Sequence, residues 1–355
     1  MAAGARPDAR DGPSLLVVQT SFLGDVVLTT PLLTALRQRV RPRRLDVLVR
    51  PEAVPLLRGH PDVDTVLVDD KRGADRGLGG LWRTARRLRH ERFDVAVSPH
   101  RSLRTALVLA AAGIPRRVGF ADSRGAVLFH ERVARDRRQH DVDRNLALLA
   151  PFGPAVVPSP PMRLPVDDDA AARAAALLPE GPGPLIGVAP GSVWATKRWT
   201  AAGFAAVVAA LAADGARVVL LGAPADREVA DEVARRAGGV ATVLAGRTDL
   251  ATMVAVVDRL ALLVANDSAP MHVACARDVP VVAIFCATTP ALGYGPRGAR
   301  AIVVEADLAC RPCGTHGGRS CPRGTEDCMR LVTPNAVLGA ARALLAGRCS
   351  TGSAA

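Results

Sequence analysis

The sequence predicts an α/β protein of two doubly wound, Rossmann-like domains facing a central cleft, and three observations carry that expectation. Short β-rich runs alternate with helical patterns from end to end, the mark of βαβ units and parallel sheets. The alternation breaks once, in a Pro-rich stretch at 151–165 without apolar periodicity, and then restarts. The 355 residues, 49% of them hydrophobic, suffice for two ordinary cores, which excludes a disordered chain and a disulfide miniprotein alike.

The first half reads as strands at 15–18, 45–49, 65–68, 95–98 and 117–120, with helical stretches near 25–39, 81–92 and 102–112. After the Pro-rich linker, strands follow at 185–189, 217–221, 242–244, 262–265 and 279–285, separated by helices beginning near Thr200, Ala225, Asp249 and Ala269. The expected domains are therefore 1–155 and 156–335, the second carrying a cysteine-rich loop at 306–330. A last helix at 335–345, which with the tail after it makes up a C-terminal segment of 336–355, is expected to cross back and brace the first domain. Ligands of such sheets lie at the carboxyl ends of the strands, so two domains facing each other are expected to hold one between them.

The longest run free of charged or strongly polar residues, 201–213, is shorter than the roughly 18 apolar residues a membrane span needs. The first 13 residues lack the basic start and apolar stretch of a secretory signal, so a cytoplasmic protein is expected. A net charge of +12 is unevenly spread, with 27 basic against 17 acidic residues in 1–155 and 19 against 17 in 156–355. The first part thus faces something anionic, a nucleic acid, a lipid headgroup or a phosphorylated substrate. With 3% aromatics there is little to stack bases, which counts against single-stranded nucleic acid. Arg supplies 44 of the 46 basic residues, so the two lysines, Lys71 and Lys197, mark positions where a compact ammonium replaces the default planar fork.

Candidate chemistry sits in the turns that follow strands. Gly24 permits a tight bend after the first strand and Asp25 falls where a helix opens. Two readings compete there: a carboxylate complementing the helix dipole, or a general base for a hydroxyl nucleophile, whose pKa the dipole would lower. In the second half Gly191-Ser192 supplies backbone N–H groups and a hydroxyl, and Lys197 a mobile charge, which together suit a diphosphate. Lys71 follows no such turn and is expected to matter for neither donor binding nor transfer. Asn266 and Asp267 are placed to bind sugar hydroxyls, Ser268 and Ala269 offer amides at a helix start, and His272 is either a packing histidine or a ligand contact. Cys310 and Cys313 have zinc-ligand spacing, but Cys321 and Cys328 stand seven apart, so a structural metal clip and free buried thiols both stay open.

Taken together these motifs resemble the ADP-heptose:lipopolysaccharide heptosyltransferase family, over nearly the whole chain. The carriers are Ser21-Phe22-Leu23-Gly24-Asp25 with Thr30-Pro31-Leu32, the run from Gly113 to Phe120, Pro190-Gly191-Ser192 with Thr196-Lys197-Arg198-Trp199, Gly222-Ala223-Pro224, and Asn266-Asp267-Ser268-Ala269-Pro270-Met271-His272. The Cys321-Pro322 run ending at Cys328-Met329 resembles the heptosyltransferase II branch. The resemblance implies the two-domain GT-B architecture and an inverting, metal-independent transfer of heptose from ADP-heptose to a phosphorylated lipid A core, without a cofactor, at the cytoplasmic face of the inner membrane. It implies Asp25 as general base, Lys197 with Ser192 on the diphosphate, Glu228 on the ribose, Thr248 near the adenine and Asp267 on the donor sugar. Ala269 departs from a glycine common at that turn. Arg101 and Arg104, after the fourth strand, are the candidates for the acceptor. The alternatives are a transferase or epimerase acting on another nucleotide sugar, and a basic membrane- or nucleic-acid-binding protein, which would explain the charge but not Asp25, Lys197 and Asp267 at strand ends.

Overall fold

The computed structural model describes residues 12–154, 158–298 and 300–351, so most of the N-terminal stretch read for a secretory signal lies outside the described residues. The chain forms two compact units, the first ending at Pro165 and the second beginning at Val166.

The first unit comprises β1 (Gly12–Val18), α1 (Leu23–Val40), β2 (Pro42–Val49), α2 (Val54–Leu57), β3 (Thr65–Val68), α3 (Gly77–Glu91), β4 (Val95–Ser98), α4 (Leu103–Ala111), β5 (Arg116–Phe120), β6 (Glu131–Val133) and α5 (Asp141–Ala147). Its sheet is parallel throughout, in the order β3-β2-β1-β4-β5-β6. Leu15, Leu16, Val17 and Val18 are buried without a break, as a central strand covered on both faces requires.

The second unit comprises α6 (Asp168–Leu177), β7 (Leu185–Ala189), α7 (Ala201–Ala213), β8 (Arg217–Leu220), α8 (Arg227–Arg236), β9 (Ala241–Val243), α9 (Leu250–Asp258), β10 (Leu262–Asn266), α10 (Ala269–Ala276), β11 (Val281–Phe285), β12 (Ala301–Glu305), α11 (Asp327–Arg330) and α12 (Pro334–Thr351). Its parallel sheet, β12-β11-β10-β7-β8-β9, repeats the order of the first when read from the other edge. Side-chain caps start its helices where the sequence places Asp or Thr: Asp167 accepts the Ala170 N–H, Thr200 that of Gly203 and Asp249 that of Thr252.

Both halves are doubly wound α/β, as expected, and each gains a sixth strand. β6 is a three-residue edge strand with two charged side chains, which carries no apolar signal, and β12 is an edge strand whose residues are only partly covered. The division at Pro165 falls ten residues beyond the expected 155/156, because the Pro-rich stretch is not a free linker: Met162 and Leu164 are buried and the Arg163 N–H donates to Thr30 Oγ1 (3.1 Å). α12 packs on α7, β10, β11 and β12, and its Val337 and Ala341 are buried in the core of the second unit. α12 thus helps to complete the core of the second unit.

Candidate active site

In each sheet the strand order reverses at one point, between β1 and β4 in the first unit and between β7 and β10 in the second. The crevice outside the strand ends at such a point is where open α/β sheets take their ligands. The expected site residues fall around these two edges.

At the first edge, Asp25 stands in the opening turn of α1. Its carboxylate accepts the Ser21 hydroxyl (2.6 Å) and the Phe22 N–H (3.1 Å), so one side chain satisfies an orphan helix amide and is oriented by a neighbour. Both readings of Asp25, cap and base, thus share one geometry. Next to it, Thr20 Oγ1 lies 3.1 Å from His100 Nδ1, which lies 2.7 Å from Thr105 Oγ1, and Lys71 Nζ donates to Thr20 Oγ1 (3.3 Å). Burial, then the charge of Lys71, pushes His100 down to about 3, so its ring is neutral at physiological pH. Burial, then the charge of Arg50, pushes Lys71 down to about 8. Arg50 is itself buried, pairs with Glu52 and covers the Phe22 ring. Lys71 therefore joins this edge, although nothing in its immediate sequence marks it beyond the rarity of Lys.

Arg101 and Arg104 do not converge on one group. Arg101 pairs with Asp122 (3.0 Å), while Arg104 pairs with the buried Asp69 (2.9 Å) and donates to the carbonyls of Asp75 and Gly77. Arg104 thus ties down the loop that carries Lys71.

At the second edge, the turn after β7 is set by a buried carboxamide. Asn266 Oδ1 accepts the Trp199 N–H (2.9 Å) and its Nδ2 donates to the Pro190 carbonyl (2.8 Å). Asn266, expected to meet sugar hydroxyls, is consumed as a clasp between strand ends. Gly191 is required because a Cβ there would lie 2.2 Å from the Asp226 carboxylate. Ser192 is buried, and its carbonyl accepts Arg198 Nε (2.7 Å).

Lys197 Nζ pairs with Asp267 Oδ2 at 2.6 Å, with side chains 13% and 5% exposed, and Thr288 Oγ1 donates to the same oxygen at 2.6 Å. Two residues expected to act separately, on diphosphate and on sugar, are thus one coupled pair, and Thr288 is a member that sequence reasoning missed. Ser268 and Ala269 open α10 as expected, and His272 is buried within that helix.

The remaining donor candidates lie on one side of this edge. Glu228 is exposed in the first turn of α8 and lines a depression of ≈ 900 Å³ together with Arg198, Pro224 and Arg227. Thr248 is half-buried in the following loop, which the Gly246 N–H holds to the Gly222 carbonyl (3.0 Å).

The cysteine loop packs onto the other side. Gly318 N–H donates to Thr196 Oγ1 (2.8 Å), the Cys313 N–H donates to the Ala287 carbonyl (2.9 Å), and Arg311 reaches the carbonyls of Phe285 (3.1 Å) and Thr288 (2.6 Å). The loop therefore holds both neighbours of Asp267 in place. Cys310, Cys313, Cys321 and Cys328 are free thiols, and among the described residues no three His, Cys, Asp or Glu form a group that could hold a metal ion. Burial pushes the Cys313 and Cys328 thiols up, whereas loop amides led by that of Glu326 pull Cys321 down.

The chain is 28% identical over 290 residues to lipopolysaccharide heptosyltransferase 2 of Salmonella typhimurium, covering 78% of this chain and 83% of that one. The structure of ADP-heptose LPS heptosyltransferase II from Escherichia coli superposes with a TM-score of 0.79 at 25% identity, covering 94% of this chain and 99% of that one. A glycosyl transferase family 9 structure from Veillonella parvula gives a TM-score of 0.86 at 24% identity over 97% and 100% of the two chains, a likeness of fold. The family model of glycosyltransferase family 9 (heptosyltransferase) matches residues 81–320, which is more than half of the chain. The protein therefore belongs to glycosyltransferase family 9, the heptosyltransferase family, and is a glycosyltransferase enzyme with the fold of the solved heptosyltransferases.

Proposed function

We propose that this enzyme transfers heptose from ADP-heptose to a sugar hydroxyl of the inner core of lipopolysaccharide, with inversion and without a metal. Family membership carries the reading, and the two sheet edges supply chemistry that fits it. Asp25 takes the proton of the acceptor hydroxyl, and the resulting oxygen attacks the anomeric carbon from the face opposite ADP. The bond from that carbon to the diphosphate breaks, and its electron pair leaves with ADP. Ser21 and the Phe22 amide hold the base in one rotamer before the acceptor arrives.

Negative charge grows on the departing diphosphate, so Lys197, Ser192 and the amides of Ser268 and Ala269 act where that charge develops. Asp267 fixes Lys197 in the free enzyme and turns to the donor sugar when the diphosphate claims the ammonium. Glu228 binds the ribose, the loop of Thr248 flanks the adenine, and His272 supports α10 from within. Lys71 and Arg50, beside Asp25, join Arg101 as contacts for a phosphorylated acceptor, while Arg104 acts through the loop it holds. The cysteine loop serves as a clamp of thiols without metal, at the cytoplasmic face of the inner membrane where the acceptor is made.

Incubation with ADP-heptose and truncated lipid A cores should add the mass of one heptose to a single core. Asp25→Asn should keep ADP binding and lower turnover by a factor of ~100 or more, the scale of lost general base catalysis. Transfer with another nucleotide sugar and none with ADP-heptose would replace the donor assignment, and near-normal turnover of Asp25→Asn would remove the base.

A further inference from the structure

We propose that the solvent face of the α3 and α4 layer in the first unit is a docking surface for an anionic lipid bilayer. α3 buries Leu81, Thr84, Ala85 and Leu88. It leaves Leu78 76% and Trp82 64% exposed, one turn apart. α4 likewise exposes Leu103 and Leu107, again four residues apart, and the turn Ala126–Leu128 exposes Val127 at 82%. Five of the nine large apolar side chains exposed among the described residues therefore lie on three elements.

These elements are neighbours. Arg104 of α4 donates to the Gly77 carbonyl at the start of α3. Gly125, leading into the turn, lies so close to α4 that a Cβ would come within 2.5 Å of the Ala106 methyl and 3.3 Å of a Leu103 methyl.

Charge decides the occupant. Residues 76–92 hold six arginines, at 76, 83, 86, 87, 89 and 92, against one acidic residue, Glu91, which pairs with Arg44. Arg83 and Arg87 share Asp75 yet keep more than half of their side-chain surface in solvent. A second copy of this face would set arginines against arginines. An anionic bilayer instead offers phosphates to the guanidinium groups and an acyl boundary to Leu78 and Trp82, the arrangement of an interfacial amphipathic helix.

Leu78, Trp82, Leu103 and Leu107 lie in the first two turns of α3 and α4, which follow β3 and β4 and so begin at the sheet edge that carries Asp25. A bilayer on this face would bring a lipid-borne sugar to that edge, a consequence that rests on the reading proposed above.

The test is flotation of the full chain with vesicles of phosphatidylcholine alone or with one third phosphatidylglycerol. Wild type should float with the mixed vesicles and stay behind with the neutral ones, and the tryptophan emission should shift to the blue. The double variant Leu78→Ser/Trp82→Ser, with thermal unfolding unchanged because both residues are exposed, should lose at least tenfold in vesicle partitioning. Arg86→Glu/Arg89→Glu should lose as much. With a delipidated core acceptor these variants should transfer at the wild-type rate, and with a vesicle-borne acceptor more slowly. Equal flotation of wild type and the Leu78/Trp82 variant, no flotation of wild type, or a variant effect confined to a protein or nucleic-acid partner would overturn the proposal. Because flotation needs no sugar, lost binding sinks the docking surface alone, and normal binding without heptose transfer sinks the proposed reaction alone.

Discussion

Two ion-bearing clusters decide what single residues do here. Lys197 and Asp267 are nearly buried and paired, so removing one partner leaves a charge in low dielectric. Lys197→Ala should therefore weaken ADP binding and also destabilise the fold by about 3 kcal/mol, toward the lower end of the cost of breaking a buried pair. Urea unfolding of Lys197→Ala/Asp267→Asn should recover most of that stability while ADP binding stays weak. If the double variant binds ADP normally, Lys197 serves packing alone.

At the other cluster, His100 is pushed from 6.5 down to about 3, so between those values the unfolded chain binds the proton and the native chain does not. Stability should fall as pH drops through that window and show no His100 contribution above it. Lys71, pushed from 10.5 down to about 8, is neutral in the native state above that value while the unfolded chain keeps its charge, so its contribution to stability rises between pH 8 and 10.5. Lys71→Met removes a cation facing His100. The His100 titration followed by NMR should move up yet stay below 6.5, because burial remains the larger cause. A His100 pKa unchanged in that variant would break the link between the two groups.

At the scale of elements, the strand ends are joined by a few buried fittings. Trp199 is fully buried, packs edge-on to Phe204 with ring centroids 5.0 Å apart, and donates its indole N–H to the Val332 carbonyl (3.0 Å). It thereby ties the turn of Lys197 to the segment that leads into α12. Gly203, in the first turn of α7, leaves room for that indole, since a Cβ would lie 2.4 Å from Trp199 Cζ2. Ala favours a helix over Gly by about 1 kcal/mol, but overpacking costs about 1–3 kcal/mol, and the rigid ring has nowhere to go. Gly203→Ala should accordingly lower the thermal midpoint and weaken ADP binding through the displaced Trp199 turn. A stabilised variant would show that the indole can shift.

At the scale of the whole molecule, the two units have separate cores and repeat one sheet order, and the donor candidates all belong to the second. ADP alone should slow hydrogen exchange in 189–198, 222–228, 245–249 and 266–272, with a stability gain of about 2.7 kcal/mol at 100 times its Kd. Protection confined to the first unit would displace the donor from the second sheet.

No helix among the described residues is long and apolar enough to cross a membrane, in line with the short apolar runs of the sequence. The alternation of apolar strands and amphipathic helices determined the α/β class, because burial on both faces of a parallel sheet writes continuous apolar runs such as 15–18 and 262–265 into the chain. Turn chemistry also determined where Asp25, Gly191 and Ser268 would stand, since tight turns and helix starts restrict residue type locally. Edge strands such as β6 escaped, because solvent on one side removes the apolar signal.

Only the tertiary structure decided that Thr20 meets His100, 80 positions away, that Asn266 clasps Pro190, and that Lys197 and Asp267 form one pair. Each of these contacts follows from the sheet order, which sets β1 beside β4 and β7 beside β10. The energy of a buried hydrogen bond or ion pair depends on which strands are neighbours, and no local pattern of residue types carries that information.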